Sequence, residues 1–299
     1  MIENKKKDFR SGYVSIIGRP NVGKSTLLNA ILGEKIAIVT PRPQTTRNRI
    51  VGIKTVSHAQ IIFIDTPGIH RPKHALGEAM VKVALRILDE VDIILFMVEP
   101  HEPKRGDRSI INFLKKVTTP VFLLINKIDT VKKSEILPVI DTFERSYLFK
   151  EIIPVSALKQ DGISILVDSV FKYLPQGPKY YPDDLITDQL ERFMVSEIIR
   201  EKIIDMTEEE IPHSVAVEVV QWDERDDGLI SIRCNIYVER EGQKGIIIGK
   251  HGTMLKSIGS TARSDIENLL NTKIFLDLWV KVKRNWRNDK RMLKEFGYS

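Results

Sequence analysis

Cysteine is almost missing from these 299 residues: the one thiol, Cys234, cannot close an internal disulfide, so packing must hold the fold, and a reducing compartment suits it. No apolar run is long enough to cross a bilayer. The opening MIENKKKDFRSGY lacks the apolar core of an export signal. A cytoplasmic protein is therefore expected. Repeats and low-complexity tracts are absent as well. A basic excess is missing from most of the chain, although the formal net charge is +6. Arg240–Ser299 holds thirteen Lys/Arg against six Asp/Glu, whereas the other 239 residues hold 33 against 34. That asymmetry suits a polyanionic partner at the C-terminal end, either nucleic acid or an anionic membrane surface; a merely solvated basic face would look the same. With 42% hydrophobic and 29% charged residues the chain can bury cores, and its length suggests two domains.

What is present in the first half is an alternation of short apolar runs with helical patterns. YVSIIG (Tyr13–Gly18) reads as a buried strand leading into a glycine loop, and Ser25–Leu32 as a helix. RIVGIKTV and AQIIFIDT read as a strand pair joined by a Ser-His turn, and Ala75–Glu90 has helical spacing. IILFMVE, VFLLINK and EIIPVSA are further strand-length runs. Such a series predicts a doubly wound, mostly parallel α/β sheet, with its ligand site at the carboxyl ends of the strands. LPQGPKYYP (Leu174–Pro182) marks a break. The expected division is residues 1–176, a linker over 177–187, and a second domain over 188–299. In the second domain Asp188–Asp205 reads as a helix with Thr187 or Asp188 as cap, followed by two alternating strands around the acidic turn DERDDG. A Gly-rich turn, a helix over Thr253–Leu270, the strand KIFLDLWVKVK and a basic tail complete an α+β module.

Three strings carry chemistry. The first is GRPNVGKS, made of Gly18, Arg19, Pro20, Asn21, Val22, Gly23, Lys24 and Ser25, with Thr26 following; it fits GxxxxGK[ST] between a strand and a helix. Its glycines let backbone N–H groups close around phosphates at a helix N-terminus, Lys24 reaches the β- and γ-phosphates, and Ser25 offers a hydroxyl to Mg²⁺. A glycine turn beside a surface lysine is the plainer alternative. The second is DTPG, comprising Asp65, Thr66, Pro67 and Gly68, where the carboxylate can hold Mg²⁺ through water and the glycine N–H can sense a γ-phosphate. Taken alone it is also an ordinary turn sequence. The third is NKID, comprising Asn126, Lys127, Ile128 and Asp129. The Asp129 carboxylate can accept both guanine N1–H and N2–H, a pairing adenine cannot satisfy; the Asn126 amide can meet the guanine edge and the Lys127 stem can cover the ring. In Ser156, Ala157 and Leu158, backbone N–H groups can meet guanine O6, though that string means little alone.

Together these residues resemble the Era-type GTPases, within the translation-factor class, and the resemblance covers the whole chain. It implies a Ras-like P-loop GTPase domain joined to a KH domain, with GTP and GDP as ligands and Mg²⁺ as cofactor. It also implies a first switch within Glu34–Arg49, with Thr46, or failing that Thr45, binding Mg²⁺ when the γ-phosphate is present. Catalysis then rests on Lys24, Thr46, Gly68 and Asn21. Ile69 follows DTPG, where Ras-like enzymes often place a glutamine to orient the attacking water, and an isoleucine cannot do that. Some relatives with this replacement use K⁺ near the P-loop asparagine, here Asn21, which makes K⁺ a hypothesis for this chain.

Ile246, Ile247, Ile248, Gly249, Lys250, His251 and Gly252 read IIIGKHG, within which Gly249–Gly252 fits the GxxG loop that joins two helices of a KH domain and clamps an RNA backbone. The isoleucine face is expected to pack on the sheet and line an apolar groove for bases. The order of elements matches the type II KH arrangement. Beyond it, Lys281, Lys283, Arg284, Trp286 and Arg287 interleave cations with an aromatic, as single-strand binding favours; a packing role for Trp279 and Trp286 is the competing reading. The resemblance implies the 3′ end of small-subunit ribosomal RNA as target, small ribosomal subunit assembly as role, and a monomer, for want of any dimer element. Two other readings stand beside it. One is an RNA-binding scaffold with a structural nucleotide. The other is a membrane-surface GTPase, limited to weak peripheral contact because the C-terminal helix has few large apolar residues.

Overall fold

The computed structural model describes residues 9–40, 42, 45–72 and 74–298. Pro41, Pro43 and Gln44 of the expected first switch, and the opening residues 1–8, lie outside the described residues. The chain divides into two compact units. The first is Met1–Ala37, Thr46–Pro72 and Ala79–Asp188; the second is Ile38–Thr45, Lys73–Glu78 and Gln189–Ser299.

The first unit is built on six strands: β1 (Arg10–Gly18), β2 (Ile50–Val56), β3 (Ala59–Asp65), β4 (Ile93–Val98), β5 (Val121–Ile125) and β6 (Glu151–Pro154). Their order is β2-β3-β1-β4-β5-β6, parallel except for the antiparallel β2–β3 pair. Every residue of β3, β4 and β5 is buried, as continuous apolar runs covered on both faces require. The covering helices are α1 (Lys24–Leu32), α2 (Ala75–Arg86, in this unit from Ala79 on), α3 (Arg105–Leu114), α4 (Lys133–Glu144) and α5 (Ile163–Tyr173). Ile17, Phe96, Leu123 and Phe143 sit in one core cluster. From β1 the chain goes to β3 on one side and to β4 on the other, so the order reverses at β1, and the loops after β1, β3, β4, β5 and β6 open at one edge, as expected for ligand binding.

The segment read as a linker is laid along this unit. The Gly177 N–H donates to the Phe9 carbonyl at 3.1 Å, the Tyr180 and Tyr181 N–H groups share the Gln60 Oε1 at 2.9 and 3.0 Å, and the Ile53 N–H donates to the Ile186 carbonyl at 2.8 Å. The Thr187 hydroxyl donates to the Val51 carbonyl at 2.7 Å. Neither Thr187 nor Asp188 therefore caps the next helix; it starts later, at Glu191, with Leu190 before it.

The second unit places three strands, β7 (Ala216–Glu224), β8 (Ile230–Val238) and β9 (Ile274–Val282), in sequential order. The β7–β8 pair is antiparallel and the β8–β9 pair parallel. Its helices are α6 (Glu191–Met206), α7 (Ile211–Ser214), α8 (Glu241–Ile248), α9 (Thr253–Leu270) and α10 (Lys290–Glu295). Val195, Ile199, Ile247, Ile258 and Ile266 from the helices meet Cys234 and Ile236 from β8 in a separate core. Among the described residues no helix is long and apolar enough to cross a membrane.

Candidate nucleotide site and nucleic-acid interface

The loop after β1 has the backbone its sequence demands. Gly23 caps α1 with φ +102°, and a Cβ there would collide with the Asn126 amide, so glycine alone serves. The N-terminus of α1 directs free N–H groups and the positive end of its dipole toward a phosphate. The buried Lys24 ammonium donates to the Arg19 carbonyl at 3.2 Å. Burial pushes its pKa down, with the Asp65 charge opposing. Burial likewise raises the Asp65 carboxyl, opposed by Lys24, the hydroxyls of Ser25 and Thr46 and the Thr66 N–H. In both groups burial outweighs the mutual attraction, so each charge is disfavoured with only the other as ionic partner.

Asp65 Oδ2 accepts from the Ser25 hydroxyl at 2.6 Å and from Thr46 at 3.4 Å, while the two hydroxyls lie 2.8 Å apart. Asp65 Oδ1 is buried and has no hydrogen-bond partner among the described residues. Three hard oxygen donors with one unsatisfied carboxylate oxygen fit Mg²⁺. The side chains of Ser25, Thr46 and Asp65 would hold it. When bound it neutralises charge on the β- and γ-phosphates. Of the two candidate threonines, it is Thr46 that faces this set. The Thr45 hydroxyl donates to the Arg42 carbonyl at 2.7 Å and meets Thr40 at 2.8 Å.

The Ile69 N–H donates to the Gly18 carbonyl at 3.0 Å, which draws Gly68 up to the P-loop, and the Ile69 side chain is buried in the core cluster. It cannot orient water. His70 turns its Nδ1 to the Gly68 carbonyl at 2.8 Å.

At the base end, Asn126 also ties two loops together. It is buried, its Nδ2 donates to the Val22 carbonyl at 2.8 Å, and its Oδ1 accepts the Ala157 N–H at 2.9 Å. One of its two amide hydrogens is used on Val22, so the asparagine staples the P-loop to the Ser156–Leu158 loop and keeps a second N–H for the guanine edge. The Ala157 N–H is the donor in the second of these bonds. Asp129 is exposed, and its Oδ1 accepts from the Ser156 hydroxyl at 2.5 Å, which orients the carboxylate. Lys127, with φ +65°, sends its ammonium to the Asn21 carbonyl at 2.8 Å and to Glu99 at 2.6 Å. The Arg19 side chain turns to the buried Asp107 at 2.8 Å. Glu99 and Asp107 are absent from the motif reading because no string marks them.

In the second unit Gly249 has φ +72°, and a Cβ there would come within 2.7 Å of Met254. This sharp GxxG turn between α8 and α9 leaves Lys250 and His251 exposed. A groove of about 510 Å³ runs beside it, lined by Leu255, Lys256, Gly259 and Arg263 of α9 and by Phe275 and Leu278. Of the isoleucine face expected to pack on the sheet, Ile247 is in the core with Ile248 packed against it, while Ile246 is exposed on α8. Gly259 lies mid-helix and faces Leu278. The expectation for Trp286 is corrected. It is fully buried, donates to the Ser214 carbonyl at 2.8 Å and packs against Phe296 and Tyr298, which leaves no face for a base. Arg287 is paired with Glu239 at 2.6 Å. Lys281, Lys283 and Arg284 are exposed, and Trp279 is 55% exposed.

A GxxxxGKS loop whose Ser25 meets Thr46 and Asp65, an exposed Asp129 held by Ser156 in the NKID loop, and a GxxG module in the second unit mark a P-loop GTPase carrying a KH domain. The 50S ribosome-binding GTPase family matches residues 13–127 and the KH domain family residues 210–287. GTPase Era of Ruminiclostridium cellulolyticum is 54% identical, covering 97% of this chain and 98% of its own. GTPase Era of Geobacter metallireducens is 57% identical with the same coverage. A crystal structure of Era with MgGDPNP and nucleotides 1506–1542 of 16S ribosomal RNA superposes with a TM-score of 0.94 at 43% identity, covering 97% of this chain and 99% of that one. A point variant of Aquifex aeolicus Era bound to GDP·AlF4⁻ gives 0.94 at 43%, covering 97% of this chain and all of that one. The chain belongs to the GTPase Era family, and it is a GTP hydrolase that takes GTP, GDP and Mg²⁺.

Proposed function

We propose that the GTP cycle of the first unit governs RNA binding by the KH domain, that the RNA is the single-stranded 3′ end of small-subunit ribosomal RNA, and that the protein assists small ribosomal subunit assembly in the cytoplasm as a monomer. The likeness to Era in complex with nucleotides 1506–1542 of 16S ribosomal RNA carries this reading. The GxxG turn and the groove beside it supply a surface of the right kind, with Lys250, Lys256 and Arg263 for phosphate and apolar walls for bases. Coupling has a natural place in the chain. The boundary between the two compact units falls between Thr45 and Thr46, and the Thr46 hydroxyl belongs to the magnesium set. A γ-phosphate that orders Thr46 therefore acts on the residue adjoining the second unit.

The test is crosslinking to RNA in cell extract, wild type against Gly249→Asp, each with a non-hydrolysable GTP analogue and with GDP. Enrichment of one site at the 3′ end of small-subunit RNA, lost in the variant and stronger with the analogue, is expected. Diffuse recovery, indifferent to variant and nucleotide, would overturn the RNA assignment. The buried Ile69 keeps a second reading in view, a scaffold with little turnover. Phosphate release stimulated by K⁺ over Na⁺, and lost in Asn21→Ala, favours the switch with a K⁺ site near Asn21; negligible multiple turnover in either salt favours the scaffold. Weak contact with anionic membrane has less to support it, because α10 has six residues and turns Leu293 inward.

A further inference from the structure

We propose that Glu99, at the end of β4, is a positioning residue for guanine-nucleotide binding: its carboxylate joins the P-loop to the base-binding loop and holds the Lys127 side chain ready for the base. The inference rests on the GTP-binding reading and adds to it a residue outside every motif.

One oxygen, Oε1, accepts from the Lys127 ammonium at 2.6 Å, and the other, Oε2, accepts from Arg19 Nη2 at 3.3 Å. The same ammonium reaches the Asn21 carbonyl at 2.8 Å, so Lys127 is held by two acceptors, one in the P-loop and one on β4. Arg19 is fixed from behind. Its Nε donates to Asp107 at 2.8 Å, Asp107 Oδ2 accepts the Lys104 N–H at 3.0 Å, and the Arg19 Cδ lies where a Cβ on Gly106 would come within 2.6 Å. His101 Nε2 completes the group, 3.3 Å from Glu99 and 3.2 Å from Arg19. Glu99 is thus a charged strut between two cations that belong to different nucleotide-binding loops.

The energetic reason is preorganisation. A lysine stem loses much rotamer freedom when it is fixed over a ring. An acceptor that fixes it beforehand removes that cost from binding. A charge-assisted bond between partly buried groups is strong enough to matter. Burial alone would raise the pKa of Glu99, but Lys127, His101 and Arg19 outweigh it and keep the carboxylate ionised.

The test is release of mant-GDP from the full chain, with a thermal melt as control for folding. Glu99→Gln keeps the shape and removes the charge, and it is expected to release mant-GDP about tenfold faster, the weight of one charge-assisted hydrogen bond. The same factor should fall on the KM for GTP and hardly on kcat. Glu99→Asp, which keeps the charge, should release more slowly than Glu99→Gln. Because Glu99 acts through Lys127, the pair Glu99→Gln/Lys127→Ala should release no faster than Lys127→Ala alone. Wild-type release from Glu99→Gln, or multiplying effects in the double variant, would overturn the proposal. Failure of the wild type to bind mant-GDP would instead overturn the nucleotide reading on which it rests.

Discussion

Thr45 and Thr46 are neighbours of identical chemistry, and their surroundings separate them. The Thr46 hydroxyl is buried between Ser25 and Asp65, whereas that of Thr45 closes a turn with Thr40 and Arg42. Thr46→Ala removes one of three oxygen donors from the magnesium set. It should raise the Mg²⁺ concentration for half-maximal GTP turnover by about tenfold or more, the cost of one bond to a charged centre. Thr45→Ala should shift it by less than about twofold, since it loses a part-buried turn contact away from Asp65. A magnesium titration of phosphate release on both variants decides the matter; equal effects would remove Thr46 from the set. At this scale function is legible in the sequence wherever the chemistry lies in one contiguous string, as in the P-loop and DTPG. The sequence misleads where a residue proposed for contact serves by packing, as the buried Trp286 does. It is silent on Glu99, whose partners Arg19 and Lys127 stand 80 and 28 positions away.

Elements obey similar limits. Continuous apolar runs form the buried β3, β4 and β5, where burial is written in the residues themselves, whereas β8, an alternating run in sequence, is buried without a break from Cys234 to Val238 because it lies between β7 and β9. The start of α6 escapes the sequence because Thr187, a good cap in isolation, spends its hydroxyl on the Val51 carbonyl of a distant strand. The same kind of competition sorts the aromatic residues after β8. Along β9 side chains alternate, and Trp279 falls on the open side; beyond the strand, Trp286 enters an aromatic cluster with Phe296 and Tyr298 and satisfies its indole N–H on Ser214. Trp286→Ala should destabilise the second unit by about 3–5 kcal/mol, whereas Trp279→Ala should stay within about 0.5 kcal/mol. Urea unfolding followed by far-ultraviolet circular dichroism measures both. A small loss at Trp286 would mean that the cluster is not part of the cooperative core.

For the molecule as a whole, the two cores share no residue: one is built around β4 and β5, the other around β8 and α9. A unit with its own core unfolds on its own account unless something couples it to the other. The distribution of tryptophan makes this measurable, since Trp222, Trp279 and Trp286 all lie in the second unit, so indole fluorescence reports that unit alone. GDP with Mg²⁺ binds the native first unit, and at about a hundred times its Kd it should add about 2.7 kcal/mol to that unit's stability. In urea titrations the part of the circular dichroism transition that belongs to the first unit should therefore move to higher denaturant. The fluorescence transition should stay where it is. If fluorescence moves together with dichroism, the units unfold as one, and the nucleotide's binding energy reaches the RNA-binding module even without RNA. If GDP leaves fluorescence in place but the GTP analogue shifts it, the coupling depends on the γ-phosphate, and the ordering of Thr46 beside the unit boundary is the element to examine.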